Sequence, residues 1–381
     1  MLCQANKNSL LYTKVWKNPL KKTDIKEYSK QELIGWLTDH RISPYRANQI
    51  LKWVYLRQAD SFDLMSDISK ETRSLFLDHF TIGRLERVKV QVSEDHTRKY
   101  LLRLQDGHHV ECVLIPEKDH YTLCVSTQVG CAQGCRFCLT AKNGFVRNLT
   151  TGEILAQIRD VQHHLLQETE NPFPLSNLVF MGMGEPLANF DNLIRALSII
   201  TDTDYGMKFS TRRVTISTAG LAPMIPRLGE ATRTNLAISL NATNNKTRDL
   251  IMPINQRFPL EILLETLKRY PLSPRQKITI EYILIKGVND SMEDAKRLTR
   301  LLAPIKAKVN LIPFNEHEGC DFRRPGEEVI HAFMGILLDR NFTAIVRKSK
   351  GQDISAACGQ LSAKVAGDQA MLKPSADNEG L

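Results

Sequence analysis

The second half of the chain alternates between strand-like and helix-like segments, and this alternation limits the possible folds more than any other feature. Apolar, β-branched runs are separated by segments in which apolar residues recur at helical spacing. The predicted strands are residues 177–181, 212–217, 234–240, 277–285, 307–314 and 343–348. Such a pattern predicts parallel strands joined by crossover helices. Because there are fewer than eight repeats, we expect an open or incomplete barrel.

Polar segments, two of which contain glycine, lie at the ends of four of these strands. They are GMGEP (182–186), STAG (217–220), SLNAT (239–243) and Asn315. In parallel α/β folds the carboxyl ends of the strands host the active site. We therefore expect the four segments to converge on one mouth and to bind one extended ligand.

Two smaller predicted units precede this region. Residues 28–84 indicate a small helical accessory domain. Its recurring apolar residues are Leu33, Leu37, Ala47, Ile50, Leu51, Val54 and Tyr55. Residues 85–128 alternate at period two, with an Asp106-Gly107 turn, and predict a short β extension. The remaining predicted segments are an irregular basic lead-in (1–27), the barrel (129–350), a cysteine loop (351–363) and a disordered tail (364–381).

Three cysteines fall within eight positions of the segment QVGCAQGCRFCLTAKNGFVRN. Cys131, Cys135 and Cys138 have the spacing C-x3-C-x2-C. We expect a cytoplasmic protein, because the sequence has no apolar run of about 18 residues and no signal-peptide pattern. In a reducing compartment, clustered cysteines indicate metal ligands or catalytic thiols rather than disulfides.

Two kinds of metal site compete for these thiolates. Structural zinc prefers four ligands, and Cys112, His120 or Cys124 could supply the fourth, although none repeats the usual paired spacing. An iron–sulfur cluster held by three thiolates leaves one iron open to a substrate or cofactor. The residues alone favour iron–sulfur and leave zinc as the alternative. The formal net charge of +9 is compatible with a nucleic-acid partner but does not establish one.

Further segments give the chain a specific resemblance. The cysteine spacing, with Phe137 before the last cysteine, resembles the radical S-adenosylmethionine (SAM) signature. The other matching segments are LIPE, TLCVSTQVGC, FMGMGEPLAN, STAG, DLIMPIN, IPFN and GQDISAACGQL. Together they resemble the adenine-C2 RNA methyltransferases of the RlmN type over about residues 28–362. The resemblance implies an α/β fold, a partial (β/α)6 radical SAM barrel with the accessory domain and the β extension.

The resemblance also implies the cofactors and their ligands. A [4Fe-4S] cluster would be bound by Cys131, Cys135 and Cys138, with SAM on the open iron. Glycine at 184 permits close backbone approach, and the Glu185 carboxylate can bind the amino group of SAM. The full set of implied SAM contacts is Gly184, Glu185, Ser217, Ser239, Leu240, Asn241 and Asn315. Asn241 departs from the histidine that many relatives carry, and the segment GQDISAACGQL differs slightly from the sequence that is usual in the family.

The implied reaction consumes two SAM molecules. The first methylates Cys358 by displacement, and the second gives a 5′-deoxyadenosyl radical that takes hydrogen from the S-methyl group. The resulting methylene radical adds to carbon 2 of adenine. Glu111 then accepts the proton from carbon 2, and Cys124 forms a disulfide with Cys358 to release the RNA.

These three residues have plainer interpretations when the resemblance is set aside. Cys358 and Cys124 could be small buried core residues, as free cysteines often are. Glu111 could occupy the solvated face of a strand. Cys112, on the opposite face from Glu111, is predicted to be packing.

The implied substrates are 23S ribosomal RNA, in the peptidyl-transferase region, and transfer RNA, at the position 3′ of the anticodon. Basic residues surround the predicted mouth and suit phosphate positioning, with an ordinary charged surface as the alternative. They are Arg136, Lys142, Arg347, Lys348 and Lys350. We also expect a flavodoxin-like or ferredoxin-like electron donor, no membrane partner and a monomer. The alternative functions are a Cfr-type methyltransferase acting on carbon 8 and a zinc-stabilised RNA-binding protein without catalysis.

Overall fold

The computed structural model describes residues 22–168, 173–317 and 319–363. The predicted tail, residues 364–381, and residues 1–21 of the predicted lead-in lie outside them. The described part of the chain begins with a helical unit made of β1 (Thr23–Asp24), α1 (Lys30–Asp39), α2 (Arg46–Tyr55), α3 (Lys70–His79) and β2 (Phe80–Thr81). Every apolar residue named for this unit from the sequence is buried, because helical spacing places them on the inner faces.

The end of the predicted irregular lead-in is in fact ordered. β1 pairs in parallel with β2, and a single 3-10 turn follows it. Lys26 is fully buried there, and its Nζ lies 2.7 Å from Asp24 Oδ2 and 2.5 Å from the carbonyl oxygen of Gly83. The sequence pattern missed this because one apolar residue, Ile25, between charged neighbours gives no periodicity.

Four strands form the β extension and the start of the main sheet. They are β3 (Glu86–Val92), β4 (Arg98–Arg103), β5 (His109–Pro116) and β6 (Tyr121–Cys124). Neighbouring strands in this group are antiparallel. Gly107 adopts a φ of +87° between β4 and β5, so the hairpin predicted from Asp106-Gly107 is confirmed.

The rest of the chain alternates between strands and helices as predicted. A small hairpin around the first cysteines contains β7 (Gln128–Gly130), α4 (Leu139–Lys142) and β8 (Phe145–Asn148). The following elements are α5 (Thr151–Gln167), β9 (Leu175–Phe180), α6 (Phe190–Ile200), β10 (Val214–Thr218), α7 (Met224–Ala231), β11 (Asn235–Ser239), α8 (Asn245–Ile251), α9 (Ile254–Arg257), α10 (Leu260–Lys268), β12 (Ile278–Leu284), α11 (Met292–Leu302), β13 (Ala307–Pro313), α12 (Glu327–Asp339) and β14 (Ala344–Val346).

The main sheet is open and mixed. Its strand order is β14-β13-β12-β11-β10-β9-β6-β5-β4-β3. From β6 to β14 every neighbouring pair is parallel, and the six crossovers between these seven strands contain helices. The ends of this sheet, β3 and β14, do not pair with each other, so the barrel is incomplete. The predicted partial (β/α)6 architecture is confirmed.

The last part of the predicted β extension, residues 121–128, is interrupted. β6 ends at Cys124, and the chain leaves the main sheet before β7 begins at Gln128. Beyond β6, the Ser126 backbone N–H donates to Gln157 Oε1 of α5 at 2.9 Å instead of to a strand. β6 also pairs with β9, so it belongs to the parallel sheet rather than to the extension in which it was predicted.

The main apolar core lies between the sheet and its helices and continues into the helical unit. Arg159 of α5 connects the two parts although it is fully buried. Its guanidinium donates to the carbonyl oxygens of Val54 at 3.1 Å and Ala59 at 2.6 Å and to Asp60 at 2.8 Å. In the described ranges, none of the helices has the length and apolar character that crossing a bilayer requires.

Candidate active site

The loop of Cys131, Cys135 and Cys138 is held by the small hairpin of β7 and β8. The backbone N–H of Cys131 donates to Gly144 O at 2.8 Å, and that of Cys138 donates to Cys135 O at 3.1 Å. Gly130 has a φ of +73°, and a Cβ there would lie 1.9 Å from Gly144 O. Only glycine fits at this position, so the turn into Cys131 depends on it.

This cysteine loop packs on the carboxyl ends of the parallel strands. Phe137 is buried in a second apolar cluster, and Cys135 and Cys138 pack against it. The other members of the cluster are Ala242, Ile251, Met252, Ile254, Ile285 and Phe314. The backbone N–H of Arg136 also donates to Ile251 O at 3.0 Å. The DLIMPIN and IPFN segments therefore support the cysteine loop.

The three thiols suit an iron–sulfur cluster by their chemistry. Burial raises the pKa of Cys131 to about 12 and also raises the pKa of Cys135, so binding of iron has to displace protons. Among the described residues, no group of three His, Cys, Asp or Glu could hold one metal ion. Three thiolates that bind different irons of a cluster need not converge on a single ion.

The GMGEP turn lies directly against the strand that leads to Cys131. Gly184 has a φ of +101°, and a Cβ there would lie 2.5 Å from Gln128 Cβ. The Gln128 Oε1 in turn accepts the backbone N–H of Glu185 at 2.8 Å. The Glu185 carboxylate accepts the backbone N–H groups of Leu187 at 3.1 Å and Ala219 at 2.7 Å, and burial raises its pKa. It thereby joins GMGEP to the STAG turn.

The STAG and SLNAT turns are joined by a residue that the sequence analysis did not single out. Arg248 is fully buried and donates to Leu240 O at 3.0 Å, Ser239 O at 3.3 Å and Ala219 O at 2.7 Å. Arg248 directly precedes the DLIMPIN segment. A single arginine in a sequence ordinarily indicates an exposed surface, so it was not recognised. The predicted SAM contacts Ser217, Ser239 and Leu240 lie on the strands and turns that it connects.

The side chain of Asn241 is directed into the protein core. Asn241 is fully buried with a φ of +57°, a conformation that asparagine tolerates better than most residues. Its Oδ1 accepts the backbone N–H of Ile283 at 2.8 Å, and its Nδ2 lies 3.2 Å from Met252 Sδ. The amide therefore braces the ends of β11 and β12, and its predicted contact with SAM stays a prediction.

The loop that carries Cys358 is fastened to the cysteine loop and to the end of β13. Gly359 O accepts the backbone N–H of Leu139 at 2.7 Å, and Leu361 O accepts the Thr140 hydroxyl at 2.7 Å. Asn315 Nδ2 donates to Cys358 O at 3.3 Å. The structure thus brings together the predicted catalytic loop, the predicted cluster ligands and one predicted SAM contact.

The same loop is also fastened to the β extension. Ser93 Oγ donates to Asp353 Oδ1 at 2.5 Å, and Lys99 Nζ donates to Ser355 O at 3.1 Å. Asp95 Oδ2 accepts the backbone N–H of Gly351 at 3.2 Å. The Cys358 loop is therefore held both by the cysteine loop and by the β extension.

The predicted pair of thiols, Cys124 and Cys358, lies close enough to interact electrostatically. Burial, followed by the charge of Cys358, raises the pKa of Cys124 to about 12. Cys358 is open to solvent on one side, but the dense protein around its thiol removes enough water to raise its pKa as well, with the charge of Glu281 as the next cause. Both cysteines are free thiols, so the predicted disulfide between them is not formed here.

Glu111 is buried in the first half of β5, rather than exposed on a solvated strand face. Lys99 Nζ lies 3.3 Å from its Oε1. Its Oε2 accepts the backbone N–H groups of Ser362 at 2.8 Å and Ala363 at 3.1 Å. The predicted proton acceptor therefore stands beside the Cys358 loop. Cys112, its neighbour on the other face, packs in the main core as expected.

The basic residues predicted to meet RNA lie around this site. Arg136, Lys142, Arg347 and Lys348 are exposed, and Lys350 is half-buried. A cavity of about 270 Å³ beside the cysteine loop is lined by Arg136, Lys142 and Cys320, among others. The five basic side chains are compatible with phosphate contact.

Two family models match the chain. The radical SAM superfamily model matches residues 125–299. The model of the ribosomal RNA large subunit methyltransferase N-terminal domain matches residues 23–82, which include the helical unit.

Individual proteins also match the chain over most of its length. The chain is 58% identical over 342 residues to the dual-specificity RNA methyltransferase RlmN of Desulfosudis oleivorans, covering 90% of this chain and 91% of the relative. It is 54% identical over 352 residues to the protein of the same name from Geobacter sulfurreducens, covering 92% and 94%. The crystal structure of a radical SAM methyltransferase from Sphaerobacter thermophilus superposes with a TM-score of 0.84 at 40% identity, covering 90% of this chain and 100% of that one.

Proposed function

Because the chain belongs to the RlmN family of dual-specificity RNA methyltransferases, within the radical SAM superfamily, we propose that it methylates carbon 2 of adenosine in 23S ribosomal RNA and in transfer RNA. The sequence identity that supports this extends over nine-tenths of the chain and nine-tenths of each relative. We assign the sites to the peptidyl-transferase region of the ribosomal RNA and to the position 3′ of the anticodon.

The observation that carries the proposal is the placement of Cys358. Its loop accepts hydrogen bonds from Leu139 and Thr140 of the cysteine loop. After burial, the charge of Cys358 is the next cause that raises the pKa of the Cys124 thiol. A nucleophilic sulfur next to a predicted cluster site and a second thiol is an arrangement that methyl transfer through a protein thioether requires. A zinc-stabilised binding protein has no use for it.

The cofactor ligands are assigned as follows. Cys131, Cys135 and Cys138 would hold the [4Fe-4S] cluster. The SAM contacts would be Gly184, Glu185, Ser217, Ser239, Leu240, Asn241 and Asn315. When bound, the cluster and SAM supply the one-electron chemistry that an adenine carbon without an acidic proton requires.

Three residues would do the remaining work. Cys358 accepts a methyl group on its sulfur and carries it to the base. Glu111 accepts the proton that leaves carbon 2, for which its position beside the Cys358 loop is suited. Cys124 attacks the Cys358 sulfur as a thiolate, and the bond from that sulfur to the methylene carbon breaks. The carbon keeps the bonding pair and takes a proton to become the methyl group, so formation of the disulfide releases the RNA. The electrostatic interaction of the two thiols supports this pairing.

The exposed basic residues around the site would position phosphate groups of the RNA. They are Arg136, Lys142, Arg347, Lys348 and Lys350. A flavodoxin-like or ferredoxin-like protein would supply electrons. Since the substrates belong to the translation machinery, we propose that the enzyme acts in the cytoplasm. We also propose that it is a monomer.

Anaerobic reconstitution followed by nucleoside mass spectrometry tests the function. The protein should bind about four irons per chain and form 2-methyladenosine in both RNAs. Cys358→Ala should abolish the product while the iron content and the brown colour stay unchanged. Cys320→Ala is the matched control and should keep the activity, since no role is assigned to that thiol.

Three results would contradict the proposal. They are 8-methyladenosine as the product, full activity of Cys358→Ala, and a colourless protein that binds zinc. Nucleosides from a strain that lacks the gene extend the test to the cell, where 2-methyladenosine should be lost from both RNAs.

A further inference from the structure

Lys99 is a buried lysine of the β extension that the sequence analysis did not single out. It lies in β4, and only 7% of the residue is exposed. Lysine is almost never buried unless its ammonium group is paired, so this side chain needs a partner. In the register of the hairpin, Leu101 of β4 stands opposite Glu111 of β5. Because side chains two residues apart on a strand share a face, Lys99 lies on the same face as Glu111 and diagonal to it.

The ammonium group of Lys99 joins Glu111 to the Cys358 loop. Its Nζ lies 3.3 Å from Glu111 Oε1 and donates to the carbonyl oxygen of Ser355 at 3.1 Å. Ser355 stands three residues before Cys358. The other carboxylate oxygen, Glu111 Oε2, accepts the backbone N–H of Ser362, four residues after Cys358, at 2.8 Å. The ion pair therefore holds the loop on both sides of the proposed methyl carrier.

The contacts of the Glu111 carboxylate indicate which oxygen is left for a proton. Oε2 accepts two backbone hydrogen bonds, at 2.8 Å from Ser362 and at 3.1 Å from Ala363. These occupy the two lone pairs of that oxygen. Oε1 has Lys99 as its ion-pair partner and, within the described residues, accepts no further hydrogen bond. A lone pair of Oε1 thus remains for a proton, and Lys99 is the side chain that fixes the orientation of this oxygen.

The ion pair also allows Glu111 to carry its charge in a buried place. An ionised carboxylate that is removed from water needs a cation or hydrogen-bond donors close to it. Among the described residues, Lys99 is the cation that pairs with this carboxylate. A carboxylate has to be ionised before it can accept a proton, so the ammonium group prepares Glu111 for the role proposed for it.

We propose that Lys99 is a positioning residue for removal of the proton from carbon 2 of adenosine. It orients Oε1 of Glu111 and, through Ser355, holds the Cys358 loop beside that oxygen. In the proton transfer, the bond between carbon 2 and hydrogen breaks, its electron pair stays on the base, and the proton goes to Oε1. The inference rests on the proposed function, since it concerns the proton acceptor of the same reaction.

Two steps of the reaction can be measured separately in cluster-loaded protein. Methylation of Cys358 by SAM needs neither a reductant nor RNA, and mass spectrometry of the Cys358 peptide follows it. A chemical reductant and RNA are then added, and 2-methyladenosine is measured in a single turnover. Lys99→Met should load Cys358 at the wild-type rate. It should form product at least about 10-fold more slowly, because a base that is out of position removes the proton slowly.

RNA that carries deuterium at carbon 2 of the target adenosine shows which step is slow. In the proposed reaction, the base is joined to the Cys358 sulfur through a methylene group before the proton leaves. RNA should therefore accumulate on the Lys99→Met protein with its deuterium retained, as read by anaerobic digestion and mass spectrometry. RNA trapped on Cys124→Ala should have lost the deuterium, because release is blocked only after proton removal.

Further variants test whether Lys99 acts through Glu111. In protein that already carries Glu111→Gln, adding Lys99→Met should change the rate little, because the group that it positions is gone. Lys99→Gln keeps a hydrogen-bond donor without the charge and serves as the test if Lys99→Met does not fold. Lys89→Met, at an exposed lysine of the neighbouring strand β3, is the matched control and should change none of these rates.

The outcomes are distinct. Unchanged product formation, or loading and product formation that fall equally, would overturn the inference, since Lys99 would then be dispensable or only structural. Trapped RNA without deuterium would place its action after proton removal and would also overturn it. So would independent losses from Lys99→Met and Glu111→Gln in the double variant. Failure of the wild-type protein to form 2-methyladenosine would instead contradict the proposed function.

Discussion

The carboxylate of Glu111 accepts a hydrogen bond of 2.8 Å from the backbone N–H of Ser362. A second bond from Ala363 and the ion pair with Lys99 complete its surroundings. The chain segment after Cys358 is thus attached directly to the residue that we propose as the proton acceptor for carbon 2. The two backbone hydrogen bonds therefore hold this carboxylate beside the Cys358 loop.

The first prediction concerns Lys99. Lys99→Met should lower the free energy of unfolding by about 2–3 kcal/mol, because it leaves a buried carboxylate without its cation. The loss should fall below the roughly 3–5 kcal/mol of a fully orphaned charge, since two backbone donors remain. Urea unfolding measures it, with Arg300→Met as the control. Arg300 pairs with Glu293 on the exposed surface, so that change should cost about 0.5 kcal/mol or less. Equal losses of unfolding free energy in both variants would show that the buried Lys99–Glu111 pair stabilises the protein no more than an exposed ion pair does.

The second prediction concerns Gly184. Gly184→Ala should destabilise the protein by more than about 2 kcal/mol, because its φ is positive and the new Cβ would clash with Gln128. It should also weaken SAM binding, since the clash moves the GMGEP turn. Gly35→Ala is the matched control: Gly35 lies in α1 with no atom within 4 Å of the added Cβ. That change should stabilise the protein by up to about 1 kcal/mol. Thermal unfolding and equilibrium dialysis with SAM measure both effects, and a tolerated Gly184→Ala would contradict the close-approach argument.

Periodicity and turn chemistry were sufficient to predict most of the fold. The strands of the barrel, the Asp106-Gly107 hairpin and the buried faces of α1 and α2 follow from local pattern, which the structure keeps. Long-range partners could not be predicted. Arg248 and Glu281 look like ordinary surface charges in sequence, and only the sheet register and the folded turns give them buried partners.

The site residues also depend partly on local sequence patterns and partly on contacts between distant positions. Contacts between the Cys358 loop and Leu139 or Asn315 join positions that are far apart in sequence. Only the family resemblance could anticipate that they meet, because no local pattern encodes the docking of a loop after the last strand. Asn241 has a structural role that the resemblance did not imply: its amide braces two strands, while the implied SAM contact stays a prediction.

The third prediction concerns release of the RNA. Cys124→Ala should stop the reaction after one turnover, with the RNA linked covalently to Cys358, because the other thiol whose charge acts on Cys358 is Cys138, a proposed cluster ligand. Denaturing electrophoresis with labelled RNA should show a protein-bound band that is absent from wild type and from the Cys124→Ala, Cys358→Ala double variant. Cys112→Ala, in the main core, should lower stability without trapping RNA. A Cys124→Ala protein that turns over normally would remove this residue from the mechanism.

The fourth prediction is a pH dependence caused by Glu281. Burial raises its pKa from 4.5 to about 6 in the folded state, so between these values the folded protein binds more protons than the unfolded chain. Stability from this group therefore rises as the pH falls from 6 to 4.5, and above pH 6 the ionised carboxylate costs about 2 kcal/mol. Glu281→Gln removes that cost and can keep the hydrogen bond that Asn310 Nδ2 donates to Oε1 of residue 281 at 2.9 Å. Its gain in unfolding free energy over wild type should be about 2 kcal/mol larger at pH 7.5 than at pH 4.5. The exposed Glu293→Gln should show no such difference, because solvent screens its charge. A gain for Glu281→Gln that stays constant across this range would mean that the carboxyl is not desolvated in the folded protein.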